Sequence, residues 1–280
     1  MIAAALSRAA ERAVPMVPGA LDAPLGEIVG TAAYLAAPRA RAAVVANLAV
    51  IAGATGGRRV DARRVFVWQV RNYVETFRLA RLDRDQLLSM VEIEGWTDLM
   101  AAIARGNGVV LASAHLGPVV LCGQILAARG LDVSVLVEPK SGEFGRVIDR
   151  LRSSLGLRTV ETTAPQRIVR ALRQGGVVGV LADRAITGVG ERVSLFGREA
   201  LLPSAHIALA LRTGAAVIPG FALREGDRLV AYAEPELVLA RTGDHQADLR
   251  EGMRRWAAAL EAWIARAPEQ WSVFERVWSR

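Results

Sequence analysis

The stretch Gly108-Val-Val-Leu-Ala-Ser-Ala-His115-Leu-Gly117-Pro118-Val-Val-Leu-Cys122-Gly123 changes character halfway along. Its first half is an unbroken run of small and β-branched apolar residues, which predicts a strand buried in a layered sheet. Its second half is apolar over a helical length. It opens with Pro118, a residue tolerated in a first helical turn because no amide hydrogen is needed there. Between the two, a tight turn contains His115 and Gly117. Strand, turn and helix in that order put His115 just past the carboxyl end of a strand, where open α/β sheets hold their ligands. An imidazole there can act as general base on a hydroxyl, or it can be a structural hydrogen-bonding group.

The same pattern repeats along the chain. Short β-branched runs at Val133 to Val137, Val177 to Ala182, Ala215 to Leu223 and Leu229 to Ala233 predict further strands. Helix-length stretches at Pro118 to Ala128, Phe144 to Leu155, Pro165 to Gln174 and Ser204 to Arg212 lie between them, and a last helix is predicted from Gln246 to Arg266. This alternation predicts an α/β fold, a sheet flanked by helices. Glu138 follows the second strand and Asp183 the third, so a parallel sheet would carry both to the edge that holds His115. Asp183 is followed by Arg184, and Glu191 falls in a glycine-bearing loop before Phe196 and Gly197. Any of these acids could orient the imidazole. The plainer alternatives are solvated loop carboxylates for Glu138 and Glu191, and a structural ion pair for Asp183 with Arg184.

Ahead of the sheet, residues 1–90 predict a helical segment and residues 91–280 the main domain, the two joined as one continuous domain. Val65, Trp68, Val70, Val74 and Phe77 recur at roughly helical spacing. Residues 1–57 read as helices lying against a bilayer or against the main domain. No run reaches the roughly 18 to 20 apolar residues that a spanning helix requires. Hydrophobic residues make up 52% of the 280-residue chain, and the net charge is +7, almost wholly from arginine, since Lys140 is the lone lysine. A basic surface on an apolar protein suits anionic headgroups, phosphate or an acidic carrier; without a recognisable module, nucleic acid is not expected as a partner. His115, His206 and His245 have no surrounding cluster of acids and there is a single cysteine, so no metal site is expected. No G-x-S-x-G elbow is present, which argues against a serine hydrolase. Cys122, the single cysteine, fits a reducing compartment and a small buried role better than a thiol nucleophile. Trp256, Trp263, Trp271 and Trp278 fit either the core or a membrane interface.

His115-Leu-Gly117 with its apolar helix, Arg152-Ser-Ser-Leu-Gly156 and Gly179-Val-Leu-Ala-Asp183-Arg184 together resemble the lipid A lauroyl/myristoyl acyltransferases and the related phosphatidylinositol mannoside acyltransferases. Leu195-Phe-Gly197 with Pro203, Arg212 to Pro219, and Pro268-Glu-Gln-Trp271 extend the likeness in order and spacing. The resemblance implies a glycerolipid-acyltransferase-like mixed sheet flanked by helices. It also implies transfer of a fatty acyl group from acyl-CoA or acyl carrier protein, as co-substrate and without a cofactor, to a hydroxyl of a membrane glycolipid or lysophospholipid. His115 would be the base; Arg152 and Arg184 would steady the oxyanion or hold headgroup phosphate, and Gly117 and Glu138 would join them in binding substrate. The implied location is the cytoplasmic face of a bacterial plasma membrane, peripheral or monotopic, against an anionic surface.

One position departs from that family. Its histidine is followed five residues later by Asp or Glu, and here that residue is Val120. Valine can neither accept a hydrogen bond from the imidazole nor stabilise its charge. Either another acid serves, Asp183 first and Glu191 second, or the chain is a catalytically impaired lipid-binding relative. A third possibility is a thioester hydrolase in which water replaces the lipid hydroxyl.

Overall fold

The computed structural model describes residues 13–57, 59–78, 82–137, 147, 151, 156–185 and 188–278. Glu138 and Arg152 lie outside these, and the predicted helix Phe144 to Leu155 is described only at Val147 and Leu151, both buried. Among the described residues nine strands follow in chain order: β1 Val91–Glu94, β2 Val109–Ser113, β3 Val133–Val137, β4 Arg158–Glu161, β5 Val177–Leu181, β6 Glu191–Leu195, β7 Arg198–Leu202, β8 Ala216–Glu225 and β9 Arg228–Ala233. Seven of them form one sheet in the order β1-β9-β8-β2-β5-β3-β4. From β8 to β4 every neighbouring pair is parallel. β9 returns antiparallel along β8 and carries β1 beside it. The sheet is therefore mixed, as expected, and the predicted strands match it to within a residue or two at each end. β1 and β4 are four residues each, too short for their pattern to stand out from flanking helix.

β2 and β5 sit in the middle because their sequences, VVLAS and VVGVL, can be covered on both faces. On one face Val110, Ala112, Val178, Val180 and Val217 meet helices α2 (Pro38–Thr55), α3 (Ala62–Arg78), α7 (Pro165–Arg173), α8 (Ala205–Thr213) and α9 (His245–Arg266). On the other, Val109, Val133, Val177 and Ile218 meet α5 (Trp96–Ala104) and α6 (Val119–Ala128). α4 (Arg84–Met90), opened by an Asp83–Gln86 capping box, closes the end beyond α6 through Leu87. Apolar contact runs without a break from Val44, Leu48 and Phe66 to the sheet, so the segment before residue 90 shares its core with the rest.

α9 starts at the Asp244 cap, whose carboxylate accepts from the Gln246 and Ala247 amides. Its tryptophans pack inward: Phe221 stacks at 5.9 Å on Trp256 and 5.1 Å on Trp263. Trp256, Trp263, Trp271 and Trp278 are all buried, so the membrane-interface alternative for them falls away. α1 (Asp22–Ala36) lies across α3, with Gly26 and Gly30 at the contact; a Cβ on Gly30 would come within 2.5 Å of the Val67 Cα. Its other side exposes Ile28, Val29 and Leu35.

Glu191 is not in a loop. It opens β6, just after the segment that carries Gly188 and Gly190, and Phe196 (φ 53°) and Gly197 (φ 70°) form the turn at the tip of the β6–β7 hairpin. Two successive left-handed residues match the twist of a two-residue hairpin, and a phenylalanine at the first of them gives no sign of this in the sequence.

Candidate active site

The parallel register pairs Ser113 of β2 with Leu181 of β5, and the ladder continues through the Ala182 amide onto the Ser113 carbonyl at 2.8 Å. Two residues further along each strand stand His115 and Asp183, side by side at the carboxyl edge. The Asp183 Oδ1 lies 2.8 Å from His115 Nδ1, and its Oδ2 accepts from the His115 backbone amide at 2.9 Å. Trp271 completes the set by donating its indole N–H to Oδ2 at 2.9 Å. Asp183 is fully buried, whereas the His115 side chain keeps 25% of its surface. With Nδ1 committed to the carboxylate, the neutral ring carries its proton there. Nε2, which has no partner among the described residues, is left as the basic nitrogen.

The chain's last segment locks this turn in place. The Ser272 amide donates to the His115 carbonyl at 2.8 Å and the Gly117 amide to the Gln270 carbonyl at 3.0 Å. Asn72 of α3 donates to the Gly117 carbonyl at 3.1 Å. The Gln270 side chain in turn pairs with both backbone groups of Arg224, at 3.0 and 2.8 Å. Gly117 has φ 58°, and a Cβ there would overlap the Ala222 carbonyl oxygen, so only glycine lets the turn press against β8.

Two cavities meet beside the histidine. A cleft of about 440 Å³, the more polar of the two although much of its lining is apolar, is bordered by His115, Gly117, Arg184, Phe66 and one side of α3, including Gln69, Asn72 and Tyr73. An apolar cavity of about 110 Å³ runs between α6 and the sheet face that carries Leu111, Val135, Gly179 and Gly220. The glycines keep that space open: a Cβ on Gly220 would lie 2.7 Å from Leu111 Cδ1, and one on Gly179 3.1 Å from Val135 Cγ1. Arg184 pairs with Glu275 at 2.8 Å on the cleft's rim. Glu75 of α3 also borders the cleft. Burial pushes its carboxyl up, against the pull of the Arg224 guanidinium bonded to it.

The candidates thus divide. His115, Asp183, Gly117 and Arg184 come together at the cleft; Glu191 does not, since its carboxylate accepts from Gln246 of α9 at 3.4 Å and it is not among the cleft residues. Glu138 and Arg152 lie outside the described residues. Val120 borders both cavities and provides no acid. Sequence reasoning missed Trp271 as a partner of the carboxylate; its motif was visible, but the contact spans 88 residues. Two other groups are chemically quiet. Burial lowers the His206 pKa to about 3, so the ring stays neutral, and burial pushes the Cys122 thiol up to about 12, which leaves almost no thiolate. Among the described residues no three His, Cys, Asp or Glu side chains are grouped to hold a metal ion.

The sequence pattern of the bacterial lipid A biosynthesis acyltransferases matches residues 4–280. The chain belongs to that family. It is therefore an acyltransferase. The chain is also 28% identical over 214 residues to the phosphatidylinositol mannoside acyltransferase of Mycolicibacterium smegmatis, covering 74% of this chain and 69% of that protein. It is 30% identical over 217 residues to proteins of the same description in two strains of Mycobacterium tuberculosis, covering 74% of this chain and 67% of each relative. In this acyltransferase His115 and the Asp183 carboxylate are in contact beside the two cavities, and the carboxylate stands two residues beyond β5.

Burial alone would raise the Asp183 carboxyl, but the charge and hydrogen bonds of His115 and the Trp271 indole outweigh it and hold it below the usual carboxylate range. A carboxyl lowered in the folded state adds stability that is complete above its unfolded pKa of about 3.9 and lost as pH falls through the folded value. The protein should therefore lose stability as pH falls below about 4, and Asp183→Asn should flatten that part of the curve. At neutral pH Trp271→Phe should lower the unfolding free energy by about 1–3 kcal/mol, as one buried acceptor site is left unmet. Urea denaturation across pH checks both; an unchanged acid limb in Asp183→Asn would contradict the assignment.

Proposed function

We propose that this acyltransferase moves a fatty acyl group from a thioester donor, acyl-CoA or acyl carrier protein, to a hydroxyl of a membrane glycolipid or lysophospholipid, with His115 as general base. The observation that carries this is the 2.8 Å contact between His115 Nδ1 and the buried Asp183, which leaves Nε2 to the substrate. Nε2 takes the proton of the acceptor hydroxyl as its oxygen forms a bond to the thioester carbonyl carbon. The carbonyl electrons move onto oxygen and return as the carbon–sulfur bond breaks, and the thiolate leaves with the proton held by the ring. Asp183 keeps the ring in the right tautomer and stabilises the imidazolium while it carries that proton. Arg184, on the rim, is suited to the developing oxyanion or to phosphate in the acceptor.

The two cavities suit the two substrates. The apolar one between α6 and the sheet fits an acyl chain, and the polar one along α3 fits a hydroxylated headgroup. The relatives' phosphatidylinositol mannoside supports a glycolipid acceptor. A catalytically impaired lipid binder was suggested by Val120 alone, and the carboxylate beside His115 speaks for the enzyme. Transfer of labelled acyl groups into a glycolipid extract should fall about a hundredfold or more in His115→Ala and in Asp183→Asn. Transfer that survives His115→Ala would sink the mechanism. Release of free fatty acid at equal rate with and without lipid would point to a hydrolase.

We further propose that the protein works at the cytoplasmic face of the plasma membrane, peripherally or monotopically. Among the described residues no single helix is long and apolar enough to cross a bilayer, while α1 and α2 form an apolar pair bent by 102°. Ile28 and Leu35, seven residues apart on α1, are 70% and 65% exposed with Val29 beside Ile28. An exposed apolar face with a net charge of +7 suits an anionic membrane surface. Binding to vesicles containing phosphatidylglycerol should weaken with salt and should drop in an Ile28→Glu/Leu35→Glu double variant. Equal retention at low and high salt would remove the electrostatic part, and unchanged binding of the double variant would remove α1 from the contact.

A further inference from the structure

Among the described residues, Val119, Val120 and Leu181 border both cavities. Val119 and Val120 open α6, immediately after the His115 turn, and Leu181 ends β5 two residues before Asp183. The boundary between the polar cleft and the apolar cavity is therefore made at the catalytic edge, and it is made of branched aliphatic side chains. Beyond it the cavity is bordered by Gly123, Gly179 and Gly220, which leave it open, and by Leu126 and Val135. On the cleft side the neighbours are His115, Asn72 and Arg184.

We propose that Val120 is a specificity-determining residue, the throat through which the donor's acyl chain passes from the cleft into the apolar cavity. The proposal rests on the assignment of that cavity to the acyl chain. A chain lying past Val120 leaves its thioester carbonyl at the His115 end, the one place where chain, base and acceptor can meet. The size of this side chain then sets how readily a long chain enters. Its apolarity matters equally, because a carboxylate here would have to be desolvated against the chain it admits. On this account the acid usual at this position in the family has been displaced without loss: Asp183 supplies the carboxylate, and the vacated position is part of the chain's path.

The test compares palmitoyl and butyryl donors, in whichever thioester class the wild type accepts, by their ratio of kcat/KM. Val120→Phe should lower the palmitoyl-to-butyryl ratio by at least about tenfold, the order seen when a pocket loses room for a methylene. Val120→Asp should also lower palmitoyl transfer, although it restores the acid; a gain in palmitoyl transfer would overturn the proposal. Gly123→Leu, deeper along α6, is the companion variant, since its Cβ meets Leu157 Cδ2 at an ordinary 3.4 Å. If Gly123→Leu lowers the ratio and Val120→Phe does not, the throat lies elsewhere while the cavity still holds the chain. If neither changes it, the cavity does not hold the chain and both ideas fail. Should Val120→Phe not fold, Val120→Ala decides: it should raise turnover of branched over straight donors, and an unchanged preference overturns the proposal.

Discussion

The Asp183 carboxylate governs the architecture around it. A fully buried charge is tolerated only when its lone pairs are met, and three donors meet them: the His115 ring, the His115 amide and the Trp271 indole. Each donor constrains a different part of the chain. The amide fixes the strand-end turn, the ring fixes its own orientation, and the indole ties the C-terminal segment to the carboxyl edge of the sheet. Loss of the carboxylate would free all three. The parallel pairing of β2 with β5 makes the contact possible, because it carries residues 68 apart in sequence to adjacent places.

The same edge lies between two cavities of different lining. α3 presents Gln69, Asn72 and Tyr73 to the cleft, whereas α6 and the glycine-bearing sheet face leave an apolar cavity behind it. His115 borders the cleft beside Val119, Val120 and Leu181, which border both cavities. Two other titratable side chains are silenced by burial: Cys122 is held as thiol and His206 as neutral imidazole.

Much of this was legible in the sequence, for particular reasons. The β-branched runs of β2, β3 and β5 mark central parallel strands whatever their neighbours, and Gly117-Pro118 marks the turn and helix that follow. Once a parallel sheet is inferred, Asp183 two residues past a strand becomes a partner for His115 without any local motif. What lay hidden depends on contacts between distant residues. Nothing local announces that Trp271 reaches Asp183 or that Gln270 grips Arg224. Glu191 was misplaced because Gly188 and Gly190 just before it suggest a loop, whereas β6 already begins at Glu191. Val120, taken alone, suggested a lost carboxylate; that it borders both cavities is visible only in the fold.

The most direct test of the central claim is the protonation of the two His115 ring nitrogens, read by nitrogen-15 NMR of the labelled protein at a pH where the ring is neutral. The account predicts a proton on Nδ1, shifted downfield by its hydrogen bond to Asp183, with Nε2 bare, and loss of that signal in Asp183→Asn. A proton on Nε2 in the wild type, or an Nδ1 signal indifferent to Asp183→Asn, would contradict it.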